Sequence, residues 1–207
     1  MKLSIRLQAI ADLVKENTKI VDVGCDHGLL DIYLTKEKNV KCIASDNKQS
    51  CLDNAINNIK KYNLDDKIET ILSDGLEKID VNKLDTVIIS GMGTTTILEI
   101  VKNKDIKHMI IQSNNNLYEL RKEITKLGYY IENEDVVLDY KYYVIIEFKK
   151  GYKKYSNFEL KYGPILLKKD KKEYFNYLYN KLNDIKKKNR KLSIIEKYHI
   201  NKLKKYC

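Results

Sequence analysis

An α/β fold is predicted, with a mostly parallel sheet, an antiparallel hairpin at its end and a small helical domain behind it. Three observations predict it. Short apolar runs near 19–24, 40–46, 68–72, 85–90 and 108–112 are separated by helix-like stretches, which is the rhythm of successive βαβ units. The first run, Ile20-Val21-Asp22-Val23, breaks at Gly24 and Gly28 before a new helical pattern, as a strand does when it turns into a helix. Charge then changes along the chain: residues 151–207 carry 17 Lys/Arg against 5 Asp/Glu, net +12, leaving net −2 for residues 1–150 of a chain whose total is +10. The expected division is therefore 1–150 and 151–207.

The elements follow in order. A leading helix, Ile5 to Lys15, places Leu7, Ile10, Ala11 and Val14 on one face and should cap the sheet. The second strand, Val40 to Ser45, closes on Asp46; the third ends in Ser73-Asp74-Gly75; the fourth, Thr86 to Ser90, runs into Gly91-Met92-Gly93. After a helix from Tyr118 to Leu127, the runs Val136-Val137-Leu138 and Tyr143 to Phe148 flank Asp139-Tyr140-Lys141-Tyr142 and read as an antiparallel hairpin. Ser193 with Glu196, and Asp170 with Glu173, have the capping-box spacing, which predicts two helices after Pro164. Tyr174, Leu178, Leu182 and Ile185 should face Ile194, Ile195, Tyr198 and Leu203, with the turn near residues 186–190. At helical spacing those tyrosines read either as core or as stacking platforms for bases.

Ligands of an open α/β sheet bind outside the carboxyl ends of its strands, so chemistry is expected there. Asp46, with Asn47 beside it, lies where a carboxylate can accept both hydroxyls of a ribose. A dinucleotide's pyrophosphate calls for Gly-x-Gly-x-x-Gly, whereas only Gly24 and Gly28 are present. Asp22 would repel a pyrophosphate yet suits a sulfonium and its amino group, which favours S-adenosylmethionine. The stretch resembles motif I of class I methyltransferases, with Asp26 in place of the middle glycine. Asp74-Gly75 resembles the pair in those enzymes that takes the exocyclic amine of the cofactor's adenine. Ser90 and Gly91 would set a turn above the methyl group. Taken singly, each is also an ordinary turn of an α/β protein.

Together, Leu3-Ser4-x-Arg6-Leu7-x-x-Ile10-Ala11, Asp22-x-Gly24-x-Asp26-His27, Gly91-Met92-Gly93, Gln112-x-Asn114 with Leu120-Arg121, and Phe158 to Pro164 resemble the bacterial tRNA (adenine-22-N1)-methyltransferase family over nearly the whole chain. Two positions depart from that family's pattern. Its Gly-Met-Gly-Gly is Gly91-Met92-Gly93-Thr94 here, and its Gln-Pro-Asn is Gln112-Ser113-Asn114. The resemblance implies a Rossmann-like methyltransferase domain followed by an antiparallel coiled coil, S-adenosylmethionine as cofactor, and tRNA as partner. It implies in-line methyl transfer to N1 of an unpaired or flipped adenine. N1 has an available lone pair, so alignment and charge stabilisation matter more than a strong base.

Candidate catalytic residues are Asp26, His27, Met92 and Asn114. Asp26 either steadies the cationic product or merely caps a helix; His27 either meets the base or cofactor or braces Asp26. Met92 would form a wall, and Asn114 either reads the adenine edge or caps the helix leading to Arg121. Arg6 either meets the cofactor carboxylate or pairs with Asp12. Cofactor binding is assigned to Arg6, Asp22, Gly24, Asp46, Asn47, Asp74, Gly75, Ser90 and Gly91. RNA binding is assigned to Lys168, Lys169, Lys171, Lys172, Lys186, Lys187, Lys188 and Arg190, since a basic segment beside a near-neutral half suits a polyanion. Absence of an Asn/Asp-Pro-Pro-Tyr/Phe motif after the fourth strand counts against methylation of an exocyclic amine. Other readings are a methyltransferase for another RNA or a small molecule, and a silent RNA-binding module.

Several classes are not indicated. Four cysteines, Cys25, Cys42, Cys51 and Cys207, form no Cys-x-x-Cys pair, and His27, His108 and His199 are scattered, so neither a disulfide framework nor a metal site is expected. No window is apolar for long enough to span a membrane, and the first residues lack a secretory pattern. A cytoplasmic monomer without membrane contact is expected.

Overall fold

Strands that are apolar on both faces satisfy their backbone only inside a covered sheet, and that is where four of the five predicted runs lie, the run 68–72 taking an edge. In the computed structural model the five are β1 (Lys19–Val23), β2 (Lys41–Asp46), β3 (Ile68–Leu72), β4 (Thr86–Met92) and β5 (His108–Ser113). With β6 (Tyr129–Asp139) and β7 (Lys141–Lys150) they form one seven-stranded sheet in the order β3-β2-β1-β4-β5-β7-β6. β1 to β5 pair in parallel, while β7 runs antiparallel to both β5 and β6. The structure describes residues 1–187 and 193–207, and the chain divides into two units, Met1–Lys154 and Tyr155–Cys207.

Helices α1 (Ile5–Leu13), α2 (Leu29–Lys38) and α3 (Gln49–Lys61) bury Ile10, Ile32, Leu34 and Ile59 in one core with Ile20, Ile88 and Ile110 of the sheet. The alternate residues Val21, Val87, Ile89 and Ile111 are as deeply buried and point to the opposite face. There α4 (Thr94–Val101) and α5 (Leu117–Lys126) supply the buried Ile97, Leu120 and Ile124. Each such side chain contributes roughly 1.5–3 kcal/mol of burial. The result is the Rossmann-like sheet expected, with every carboxyl end of β1 to β5 along one edge.

Three local expectations are corrected. α1 stops at Leu13 rather than Lys15, because Val14 turns extended and Lys38 Nζ donates to the carbonyls of Ala11 and Val14, each at 2.7 Å. β6 starts at Tyr129, well before Val136, although Glu132-Asn133-Glu134-Asp135 are poor strand formers. Pairing with β7 overrides that propensity, with a register shift between Ile131 and Asn133. The hairpin turn narrows to Tyr140 alone between the paired Asp139 and Lys141.

The second unit holds α6 (Asn157–Tyr162), α7 (Lys172–Lys187) and α8 (Ile194–Leu203). α6 was not anticipated, although Ser156 and Glu159 form a complete capping box; the Ser193–Glu196 box is present as expected. The seam assigned to α8 is only partly right: Ile194, Ile195 and Tyr198 are 86%, 65% and 52% exposed, while Leu203 is buried as expected. His199 is the buried residue not expected there, and Phe158 lies 5.6 Å from the His199 ring and 4.8 Å from that of Tyr162. An aromatic cluster that includes the unforeseen α6 sets the rotation of α8. Among the described residues no helix is long and apolar enough to cross a membrane.

Candidate functional site

The loop after β1 is built by short-range backbone constraints. Gly24 sits at φ +80°, a left-handed conformation that favours glycine, and a Cβ there would displace the terminal methyl of Met92. The Gly24 and Cys25 amides both donate to the Ser45 carbonyl, at 2.8 and 3.0 Å, which ties the loop to β2. Asp26 takes φ +51°, adopting the left-handed conformation at the position of the motif's middle glycine, which Asp tolerates better than most residues. Its amide donates to Asp46 Oδ2 at 3.3 Å, and the Lys48 amide donates to Asp46 Oδ1 at 2.9 Å. The N-cap of α2 is Gly28, so the reading of Asp26 as that cap is discarded. Its side chain is 65% exposed, with His27 Nε2 at 3.6 Å.

Two adjoining cavities open at this edge of the sheet. One, about 260 Å³, is lined by Asp46, Asn47, Asp74, Gly75 and Met92 among others. The other, about 400 Å³, is lined by Arg6, Asp22, His27, Asn114, Lys141 and Tyr143 among others. Gly24, Asp26, Ser90 and Gly91 belong to both and form the passage between them. Every catalytic and cofactor residue proposed from the sequence therefore lines one cavity or both.

Gln112 is the hub of the hydrogen bonds beside the larger cavity. It is wholly buried at the end of β5. Its Oε1 accepts from Arg6 Nη1 at 2.9 Å and from the Gly91 amide at 3.1 Å, while its Nε2 donates to Asn114 Oδ1 at 3.3 Å. Arg6 thus leaves Asp12, which instead accepts from Gln8 at 2.8 Å. Asn114 Nδ2 donates to the Gly91 carbonyl at 2.6 Å, and the N-cap of α5 is Asn116, so Asn114 holds the Gly91 turn rather than a helix. The two departures from the family pattern meet: Thr94 Oγ1 and Ser113 Oγ are 2.9 Å apart, and both hydroxyls also contact the Asn115 carbonyl. One side-chain hydrogen bond ties together the loops where the family pattern has glycine and proline.

The electrostatics concentrate on β1. Burial pushes the Asp22 carboxyl up to about 7, against the pull of the Arg6 guanidinium and with a further push from Asp46. Burial also raises Asp31, with the Asp22 charge adding to it, and it raises the Cys25 thiol. Asp22 Oδ1 is buried and has no hydrogen-bond partner, an uncompensated acceptor in the wall of the larger cavity. Such an atom fits a ligand that brings positive charge or an ammonium donor.

Sequence reasoning missed Lys141 and Tyr143, because only the β6–β7 pairing brings the hairpin to this edge. The basic residues assigned to RNA lie in the second unit. Lys168 and Lys172 are exposed, Lys169 and Lys171 half-buried, and Lys186 and Lys187 end α7. Lys188 and Arg190 lie outside the described residues. Among the described residues no group of three or more His, Cys, Asp or Glu could hold a metal ion.

Residues 3–146 match the family described as a methyltransferase domain. The chain is similar to M. capricolum TrmK, solved with S-adenosylhomocysteine, at 34% identity over 100% of this chain and 98% of that one, TM-score 0.86. A Streptococcus agalactiae protein of the NADB-Rossmann superfamily is 29% identical over 100% of this chain and 97% of that one, TM-score 0.89. The tRNA (adenine(22)-N(1))-methyltransferase of Bacillus subtilis is 29% identical over 66% of this chain and 60% of its own. With its motif residues gathered around two joined cavities on a Rossmann-like sheet, the chain belongs to the methyltransferase-domain family, among the bacterial tRNA (adenine-22-N1)-methyltransferases.

Proposed function

We propose that this chain transfers a methyl group from S-adenosylmethionine to N1 of adenine 22 in tRNA. The observation that carries this reading is the pair of joined cavities, one with carboxylates suited to an adenosine and one able to admit a flat base, meeting at Gly24, Asp26, Ser90 and Gly91. When bound, the cofactor supplies an electrophilic methyl on a sulfonium. Asp46 and Asn47 hold the ribose hydroxyls and Asp74, beside Gly75, the adenine amine. Asp22 meets the positive charge of the methionine end, and Arg6 its carboxylate.

Asn114 and Gln112 fix Gly91, which both cavities share, as a wall for the target base in the larger one, with Met92 on the cofactor side. Asp26, at the mouth with His27, steadies the positive charge that develops on the ring. N1 lies on the Watson–Crick edge, so the adenine enters unpaired or flipped. The basic unit 155–207 grips the tRNA backbone through its lysines. One copy of the chain suffices, since residues of Met1–Lys154 line both cavities, and the setting is the cytoplasm.

The test is to incubate the protein with S-adenosylmethionine and unmodified tRNA, digest the RNA and map methylated nucleosides by mass spectrometry. N1-methyladenosine at position 22 is the expected product. Cofactor binding with no such product would turn the reading to another RNA or a small acceptor.

A further inference from the structure

The turn of the β6–β7 hairpin is spent on a residue that gains nothing from the folded protein. Tyr140 sits at φ +60°, where glycine or asparagine rests easily and a bulky side chain does not. Its side chain is 104% exposed, so no packing offsets the strain or the apolar surface shown to water. A strained and unburied aromatic residue points to a task outside the free chain.

Its neighbours say where that task lies. Asp139 Oδ2 accepts the backbone N–H of Arg6 at 3.3 Å, pinning the hairpin tip to the start of α1. On the other side, Lys141 and Tyr143 line the larger cavity together with Arg6. The Arg6 guanidinium and the Lys141 ammonium lie 5.4 and 5.0 Å from the centre of the Tyr143 ring. Among the described residues neither cation has a carboxylate within ion-pair distance. The Tyr140 ring thus stands free on the hairpin directly beside Lys141, a cavity-lining cation with no salt-bridge partner among the described residues.

That combination suits a single-stranded stretch of nucleic acid, whose bases stack on rings and whose phosphates seek cations. Resting on the function proposed above, we propose that Tyr140 stacks on the base next to the target adenine while Lys141 meets the phosphate between them. Extracting one base leaves its neighbour with an open face, and a ring one residue from the cavity-lining Lys141 replaces the lost stacking. The strained turn keeps that ring outward instead of letting it fold back onto the sheet.

Tyr140→Gly removes the ring and relieves the backbone together, so loss of the fold is not a concern. Expected for Tyr140→Gly are a melting temperature equal to or above wild type, unchanged affinity for S-adenosylmethionine by calorimetry, and a KM for tRNA raised roughly tenfold. Tyr140→Phe should stay within about twofold of wild type, since stacking needs the ring and not the hydroxyl. Lys141→Gln should reduce the salt slope of tRNA binding by about one. Wild-type kcat/KM in Tyr140→Gly, or an equal loss in Tyr140→Phe, overturns the stacking role. A Lys141→Gln variant that keeps the salt slope but binds cofactor more weakly overturns the phosphate role and hands that lysine to the methionine carboxylate. A wild-type chain that binds cofactor but methylates no tRNA overturns the functional reading itself, a result distinct from all of these.

Discussion

Asp22 shows how one buried residue carries a cost that a cationic ligand would offset. Its carboxyl, raised from 3.8 to about 7 chiefly by burial, holds a proton in the folded chain that it would lose in the unfolded one. Between those two values the folded state binds more protons. The group therefore subtracts stability as pH rises through that window and changes nothing further above about 7. A cationic ligand prefers the ionised carboxylate, so affinity for S-adenosylmethionine should climb as pH passes from below about 7 to above it, with proton release. Calorimetry in buffers of different ionisation enthalpy measures that release, and Asp22→Asn should abolish it along with the pH dependence. An affinity flat across that range in the wild type would detach Asp22 from the ligand.

At the scale of the element, the least predictable strand is held by a buried ion pair. Arg121 Nε of α5 donates to Glu134 Oε1 of β6 at 2.6 Å, with the two side chains 1% and 0% exposed. The acidic run of β6 disfavours a strand, and the pair converts one of those acids into an anchor. Removing one partner strands a buried charge, so Arg121→Met should cost about 3–5 kcal/mol in urea unfolding. The double variant Arg121→Met, Glu134→Leu should recover most of that, because an apolar pair leaves no charge behind. A single variant within about 1 kcal/mol of wild type would show that β7 pairing alone holds β6. Beyond the tip of that hairpin, the start of β7 supplies Lys141 and Tyr143 to the larger cavity.

Across the whole molecule, charge and chemistry are divided between units. Residues 1–154 are net neutral, with 24 Lys/Arg and 24 Asp/Glu, while residues 155–207 carry 15 Lys/Arg against 5 Asp/Glu, net +10. If the second unit grips the tRNA backbone, changing Lys168, Lys169, Lys171 and Lys172 to Gln should weaken tRNA binding at all sequences. Each lost phosphate contact should flatten the dependence of log affinity on log salt by a little under one, leaving cofactor affinity untouched. Filter binding over a salt series reads the slope, and an unaltered slope would place the RNA on another surface. The core of that unit joins the rings of Phe158, Tyr162 and His199 with the buried Leu160, Leu166 and Leu203.

The sequence by itself determined what depends on neighbours along the chain. Strand β1, its turn at Gly24 and the acids Asp22, Asp46 and Asp74 at successive strand ends were legible, because a parallel α/β sheet places consecutive carboxyl ends on one edge whatever the packing details. The Ser193–Glu196 cap was legible for the same local reason. Only the tertiary structure decided the rest. Gln112 became the hub through its register beside β4, Asn114 turned from a cap into a brace, and Thr94 and Ser113 became partners across two loops. Lys141 and Tyr143 reached the cavity through pairing of β7 with β5 and with a β6 whose acidic stretch argues poorly for a strand. Side chains far apart in sequence meet by register and rotation, and a period of 2 or 3.6 residues names a face without saying what will lie against it.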